Sequence, residues 1–322
     1  MTEQLGSTTA QPGAVAGVPA PVSVTTAADR LSGQRPMGSR KRRGPDWLAV
    51  LWSNRKARIG LVLLVLFVLV AVFAPVVAPY APNDTSAEGS LGLSGAHWLG
   101  TTQQGNDVFS QLVFGTRTSL LVGLFAGTLS TMIALVVGLT AGYLQGVVDD
   151  VLSFFINLAL VIPVLPLMVT LASYSPVRGL GLIVLIISIT GWAWGARMKR
   201  AQIISLRTRD YVTAAKFAGD GTMRIIFREI LPNMLSLVVA GFMGAATAAI
   251  GAEAGLTFIG LGDPNTNSWG TMLFMAQNGS AMLTGLWAWL VAPGLALALL
   301  ITALTLVNFG VDALSNPHLR ED

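Results

Sequence analysis

An all-α, polytopic membrane fold with six transmembrane helices and both termini cytoplasmic is what the sequence predicts, on three observations. Only 11% of the 322 residues are charged, against about a quarter in soluble domains. The 53% that are apolar gather into long uncharged runs, and a bilayer core needs about 20 apolar residues per helix. The basic residues collect at particular ends of those runs, as topology signals do.

Residues 1–45 are rich in Ala, Gly, Pro, Ser and Thr and hold no apolar run. They read as a disordered cytoplasmic tail without a signal-peptide core. The tail ends in Arg40-Lys41-Arg42-Arg43. Within residues 46–82, a short interfacial helix with Trp47 and Trp52 as surface anchors leads into the first span, 59–78. Pro75, Pro79 and Pro82 break that helix. Residues 83–118 form an extracytoplasmic segment, most polar from Asn83 to Gln111. The remaining core, 119–311, contains five spans: 119–143, 151–172, 182–196, 234–259 and 286–309. Pro163 and Pro166 should kink the third span of the chain. Gly123/Gly127 and Gly138/Gly142 in the second have the small-residue spacing that lets helix backbones approach closely in lipid. Residues 173–181 and 260–284 read as outer loops, and 312–322 as a cytoplasmic tail.

Charge placement orients the set. Nine Lys or Arg precede the first span, eight lie in 197–228 and one, Arg320, is in the C-terminal tail. The opposite face holds only Arg117 and Arg178. The rich side is the cytoplasmic one. Asp149 and Asp150, at a turn on that side, read as solvated.

Several function classes fall away. With no cysteine, disulfides, thiolate metal sites and cysteine nucleophiles are excluded. The two histidines, His97 and His318, lie outside the spans, which argues against a metal site or an intramembrane triad. A net charge of +4 placed as topology signals does not suggest a nucleic-acid partner. A P-loop requires a Gly-Lys-Ser/Thr, and no Gly-Lys pair occurs. The expectation is a chain with no catalytic residues, no metal and no bound cofactor.

The segment 197–232 carries the most information. Asp210 is a plausible N-cap for a short helix, 211–218, that bears small Ala214, Ala215 and Ala218. Gly219 and Gly221 suit a helix stop and a turn. A second helix starts near Thr222 and ends before Pro232. Two readings stand at this point: an ordinary basic loop that holds topology, or an elbow that fits a partner's groove. Glu253, an acid near the outer end of the fifth span, also has two readings. It is either a structural hydrogen-bonding group or a residue of the solute pathway.

Thr213-Ala214-Ala215, Gly219 and Leu231-Pro232 resemble, at the same spacing, the cytoplasmic loop of ABC-importer permeases, with Thr213 and Glu229 replacing that loop's usual glutamate and isoleucine. The likeness continues outside the loop. The runs HWLGT (97–101), GNDV (105–108), FGTRTSL (114–120) and AEAGLTFIGLG (252–262), with Ser268-Trp269-Gly270 and Asn316-Pro317, are similar to the second permease of the dipeptide/oligopeptide/nickel importer family. Together they run from about residue 46 to 320. The resemblance implies a type I ABC importer permease fold in a bacterial inner membrane. It implies a homologous second permease, two ATPase subunits that use ATP and Mg, and an extracytoplasmic solute-binding protein. It makes Asp210, Tyr211, Thr213, Ala214, Ala215, Lys216, Ala218, Gly219, Leu231 and Pro232 the coupling and ATPase-docking residues. Peptides are the solute class it implies first, with oligosaccharides or nickel chelates as the alternative. A stand-alone secondary transporter would share the hydropathy, but only one acid lies clearly within a span and no ion relay is visible.

Overall fold

The computed structural model describes residues 54–315, with side chains as far as residue 311. The expected tail 1–45, the indole anchors Trp47 and Trp52, and residues 316–322 lie outside the described residues. Within them, regular structure is helical apart from an isolated bridge between Thr101 and Asp107.

Helix α1 (Arg55–Val72) begins where the Asn54 side chain accepts hydrogen bonds from the N–H groups of Lys56 and Ala57. Pro75 falls at the start of a separate turn, α2 (Ala74–Val77), because proline cannot continue the hydrogen-bond ladder. The uncharged stretch of α1 runs only from 59 to 72, about 21 Å at 1.5 Å per residue, less than a bilayer core.

Helix α3 (Val108–Leu144) starts eleven residues before the expected 119, at Asp107, whose carboxylate accepts from the Ser110 N–H. It is long and apolar enough to cross a membrane, as are α6 (Leu180–Leu206), the run Thr222–Phe258 and the final helix, α11, over Trp287–Val311. The expected third span is two helices, α4 (Gly146–Val161) and α5 (Val164–Tyr174), bent by 86°. Pro163 makes the break. Pro166 sits in the first turn of α5, where backbone N–H groups have no helical partner to lose. By length and composition the described residues supply four crossings, or five with the bent pair as one span, against the six expected. The helix left out of that count is α1, whose 18 residues include Arg55, Lys56 and Arg58.

Beyond α6 come α7 (Asp210–Phe217) and a continuous entry into the next span. That entry is one α-turn, α8 (Thr222–Arg224), a π-helical stretch (Ile225–Ile230) and a 3₁₀ turn (Leu231–Met234), followed by α9 (Leu235–Phe258). The expected end before Pro232 is not found, and helical backbone runs on through it. A wide turn and then a tight one accommodate the missing proline N–H. The expected outer loop 260–284 contains α10 (Trp269–Asn278), capped by Ser268. Helix α11 (Trp287–Ser315) closes the fold.

Helix α3 is the axis of packing, most extensively against α6 and then α9. Both glycine pairs serve that contact, each toward a different neighbour. A Cβ on Gly127 would lie 2.9 Å from Ala246 Cα of α9, and one on Gly123 2.8 Å from Ile250. Cβ atoms on Gly138 and Gly142 would meet the backbone oxygens of Ala196 and Arg200 of α6 at 2.8 and 2.9 Å. Only residues without a side chain permit that approach.

Candidate functional site

The elbow between α6 and α9 is built on a small apolar core. Val212 is fully buried among Leu139 of α3, Ile203 of α6 and Ile225, Ile226, Ile230 and Met234 of the entry to α9. One face of α7 is thereby fixed to the bundle. Arg209 is the N-cap and Asp210 the first helical residue, so the helix starts one position earlier than expected. The Asp210 carboxylate lies in the first turn, where the helix dipole favours negative charge. Gly219 has φ +85°. Its N–H donates to Lys216 O at 3.0 Å, and the Asp220 N–H donates to Ala215 O at 3.1 Å, the paired bonds of a Schellman stop. The expected helix stop is therefore in place.

The other face of α7 is open. Thr213, Ala214, Lys216 and Ala218 are exposed, whereas Ala215 is half-buried against the elbow's own core. Ala214 and Ala215 thus point different ways. The Lys216 ammonium lies over the Tyr143 ring of α3, 5.6 Å from its centroid. Leu231 is half-buried and packs on the same core, while Pro232 is exposed.

Three large apolar residues of the elbow that sequence reasoning did not single out are exposed. Phe217 is 88% exposed, Met223 71% and Phe227 60%, beside Tyr211 at 36%. The sequence signal was weak, because residues 217–227 also contain Ile225 and Ile226, which are buried.

Next to the elbow, Asp149 and Arg200 form a two-pronged ion pair, Nε–Oδ1 2.6 Å and Nη2–Oδ2 2.7 Å. Ser153 Oγ donates to the same carboxylate at 3.0 Å. Asp149 is therefore not simply solvated, as the sequence suggested: α4 folds back so that its first turn meets α6.

On the opposite side, residues 83–107 make a compact cap over the start of α3. His97 Nδ1 and Asp107 Oδ1 are 2.9 Å apart and buried, with the Tyr80 ring stacked on the imidazole. Gln103 Nε2 donates to Gly279 O at 2.7 Å. The Arg117 guanidinium donates to the carbonyl oxygens of Ala71 and Val72, closing the C-terminal end of α1. Glu253 is 1% exposed on α9, where the helix packs on α10 so closely that a Cβ on Gly270 would strike Thr257 and Ala254. The Thr257 hydroxyl donates to the Glu253 backbone oxygen at 2.8 Å, and Glu253 Oε2 has no partner among the described residues. No group of three or more His, Cys, Asp or Glu that could hold a metal occurs among the described residues.

Set beside known proteins, residues 134–321 match the family model described as binding-protein-dependent transport system inner membrane component. Residues 46–91 match the N-terminal TM domain of oligopeptide transport permease C. The dipeptide transport system permease protein DppC of Bacillus subtilis is 33% identical over 273 residues, 84% of each chain. The di/tripeptide transport system permease protein DppC of Pseudomonas aeruginosa is 35% identical over 292 residues, 86% of this chain and 94% of the relative. The oligopeptide transport system permease protein OppC of Bacillus subtilis is 31% identical, covering 84% and 88%. Among solved structures, the MetNI methionine ABC transporter in an inward-facing conformation superposes with a TM-score of 0.51 at 20% identity. It covers 64% of this chain and 95% of that one, a likeness of fold.

Proposed function

The chain belongs to the family of binding-protein-dependent transport system inner membrane components, and from that premise we infer that it forms half of the translocation pathway of an ATP-driven peptide importer. It is a multi-pass protein of the bacterial inner membrane. The observation that carries the peptide assignment is identity of 31–35% to dipeptide and oligopeptide permeases over 84–86% of the chain.

The proposed assembly contains a homologous second permease, two ATPase subunits and an extracytoplasmic binding protein. ATP and Mg belong to the ATPases; this chain supplies a pathway and a contact surface. In this reading α7, with Ala214, Ala218, Tyr211 and Thr213 outward, is the coupling helix that seats in a groove on the ATPase. Its open face, held on a fixed apolar root, supports that role. Closure of the ATPases on ATP would press on the elbow and switch the bundle between two rigid-body states. Glu253 acts structurally in this scheme, sealing the junction of α9 and α10, which its burial between packed helices supports.

The test is purification of the tagged chain from its native host, followed by reconstitution in proteoliposomes. Copurification of a second permease and ATPase subunits, with ATP-dependent uptake of peptide delivered by the copurifying binding protein, is the expected result. A homo-oligomer of this chain that transports without ATPase subunits would overturn the assignment.

A further inference from the structure

Between α3, α6, α9 and α11, on the half of the bundle predicted to face the cytoplasm, lies a cavity of about 360 Å³. That volume falls within the roughly 300–1,000 Å³ of small-molecule sites. Lys199 lines it, only 2% exposed. Its ammonium has no hydrogen-bond or ion-pair partner among the described residues, and no described Asp or Glu lines the cavity. Two more polar atoms lining the same space are buried without a partner, Thr131 Oγ1 and Asn308 Oδ1.

The surroundings keep this space open. A Cβ on Gly138 would come within 2.9 Å of the Lys199 Cβ, which seats the aliphatic stem against α3. Cβ atoms on Gly241 and Gly195 would come within 3.1 and 3.4 Å of the Nζ. Removing the side chain at those two positions leaves the ammonium room for a ligand. A buried cation without a counter-charge is costly and is tolerated where an anion pairs with it.

We propose that this cavity is a carboxylate-binding subsite on the inward half of the pathway, where Lys199 receives the C-terminal carboxylate of a transiting peptide. The Thr131 hydroxyl donates a second hydrogen bond to the carboxylate, and Asn308 Oδ1 accepts from a peptide N–H. The proposal rests on the peptide reading above and adds a position and a recognised group. A charge-assisted bond of this kind matters more than a neutral one.

The experiment uses the complete complex in proteoliposomes with saturated binding protein. Its probes are radiolabelled alanine peptides of two to five residues, each as the free acid and as the C-terminal amide. Wild type is expected to favour the free acid. Lys199→Met should lower free-acid uptake about tenfold or more, the order of one lost charge-assisted hydrogen bond, and leave amide uptake unchanged. Lys199→Arg should restore the preference. Equal slowing of acid and amide, or no slowing of either, overturns the inference and leaves the peptide reading standing. Loss of the second permease from the Lys199→Met complex also overturns it, because the ammonium would then be pairing with a carboxylate of that subunit. If wild type imports no alanine peptide in either form, the peptide reading falls and the inference falls with it.

Discussion

Replacing Phe217 with alanine removes a side chain that the folded chain does not use. At 88% exposure it contributes almost nothing to the elbow's own core, which Val212 anchors from the opposite face. Its loss should leave insertion, level and melting temperature of the chain unchanged. If α7 seats in an ATPase groove, the ring becomes buried there. Full burial of a phenylalanine contributes about 1.5–3 kcal/mol, and each 1.4 kcal/mol is about tenfold in a dissociation constant. Phe217→Ala should therefore weaken ATPase retention about 10- to 150-fold. The assay is titration of purified ATPase subunits onto the solubilised permease pair, with ATP-driven uptake measured in parallel. Val212→Ala is the contrasting variant: it hollows the elbow core and should lower the melting temperature of the permease itself. Wild-type affinity and wild-type uptake for Phe217→Ala would show that this face is not the docking surface.

Single cysteines at Ser94, Ser175 and Asn278 should react with an impermeant thiol reagent in intact cells, and cysteines at Ser32 and Thr208 should not; external labelling at Thr208 would invert the topology. Gly127→Leu places a branched side chain where a Cβ alone is 2.9 Å from Ala246, and overpacking of that kind costs about 1–3 kcal/mol, visible as a lower melting temperature in detergent. Asp149→Asn removes the charge facing Arg200, a pair whose two side chains are 13% and 32% exposed. The cost should be about 1 kcal/mol or less, shrinking in high salt, and a salt-independent loss would contradict the ion-pair account.

Where the sequence could be read and where it could not follows from the kind of signal each residue leaves. Gly219 announced a helix stop, and its backbone adopts φ +85°. The two glycine pairs announced close packing, and each abuts a neighbouring helix. Pro163 announced a bend, though not one of 86°. Span edges were less legible, because hydropathy reports lipid contact and not helicity. Thr116 and Arg117 lower the apparent apolarity of residues 108–118, yet α3 already runs through them from its Asp107 cap. Likewise α6 continues to Leu206 through Arg197 and Arg200. Helix α10 was hidden because ten residues of mixed polarity give no clear period. Buried Lys199 was illegible because its exposure is decided by helices distant in sequence, at Gly138 and Gly241; outward Phe217 was illegible because the elbow folds back on itself, with Val212 buried against Ile225 and Ile226, a turn that no periodicity reports.

Helix α3 has a mechanical consequence. Its 37 residues extend about 55 Å at 1.5 Å per residue, far more than the hydrocarbon core of a bilayer, and contain no proline. One end carries the outer cap through the Asp107 contacts with His97 and Ser110. The other end reaches the elbow, with Leu139 in its core and the Tyr143 ring beneath Lys216. A single stiff rod therefore joins the cap to the elbow. Tilting a rod of that length by about 5° displaces one end against the other by about 5 Å, so a small rotation at the elbow moves the outer cap through the width of a side chain.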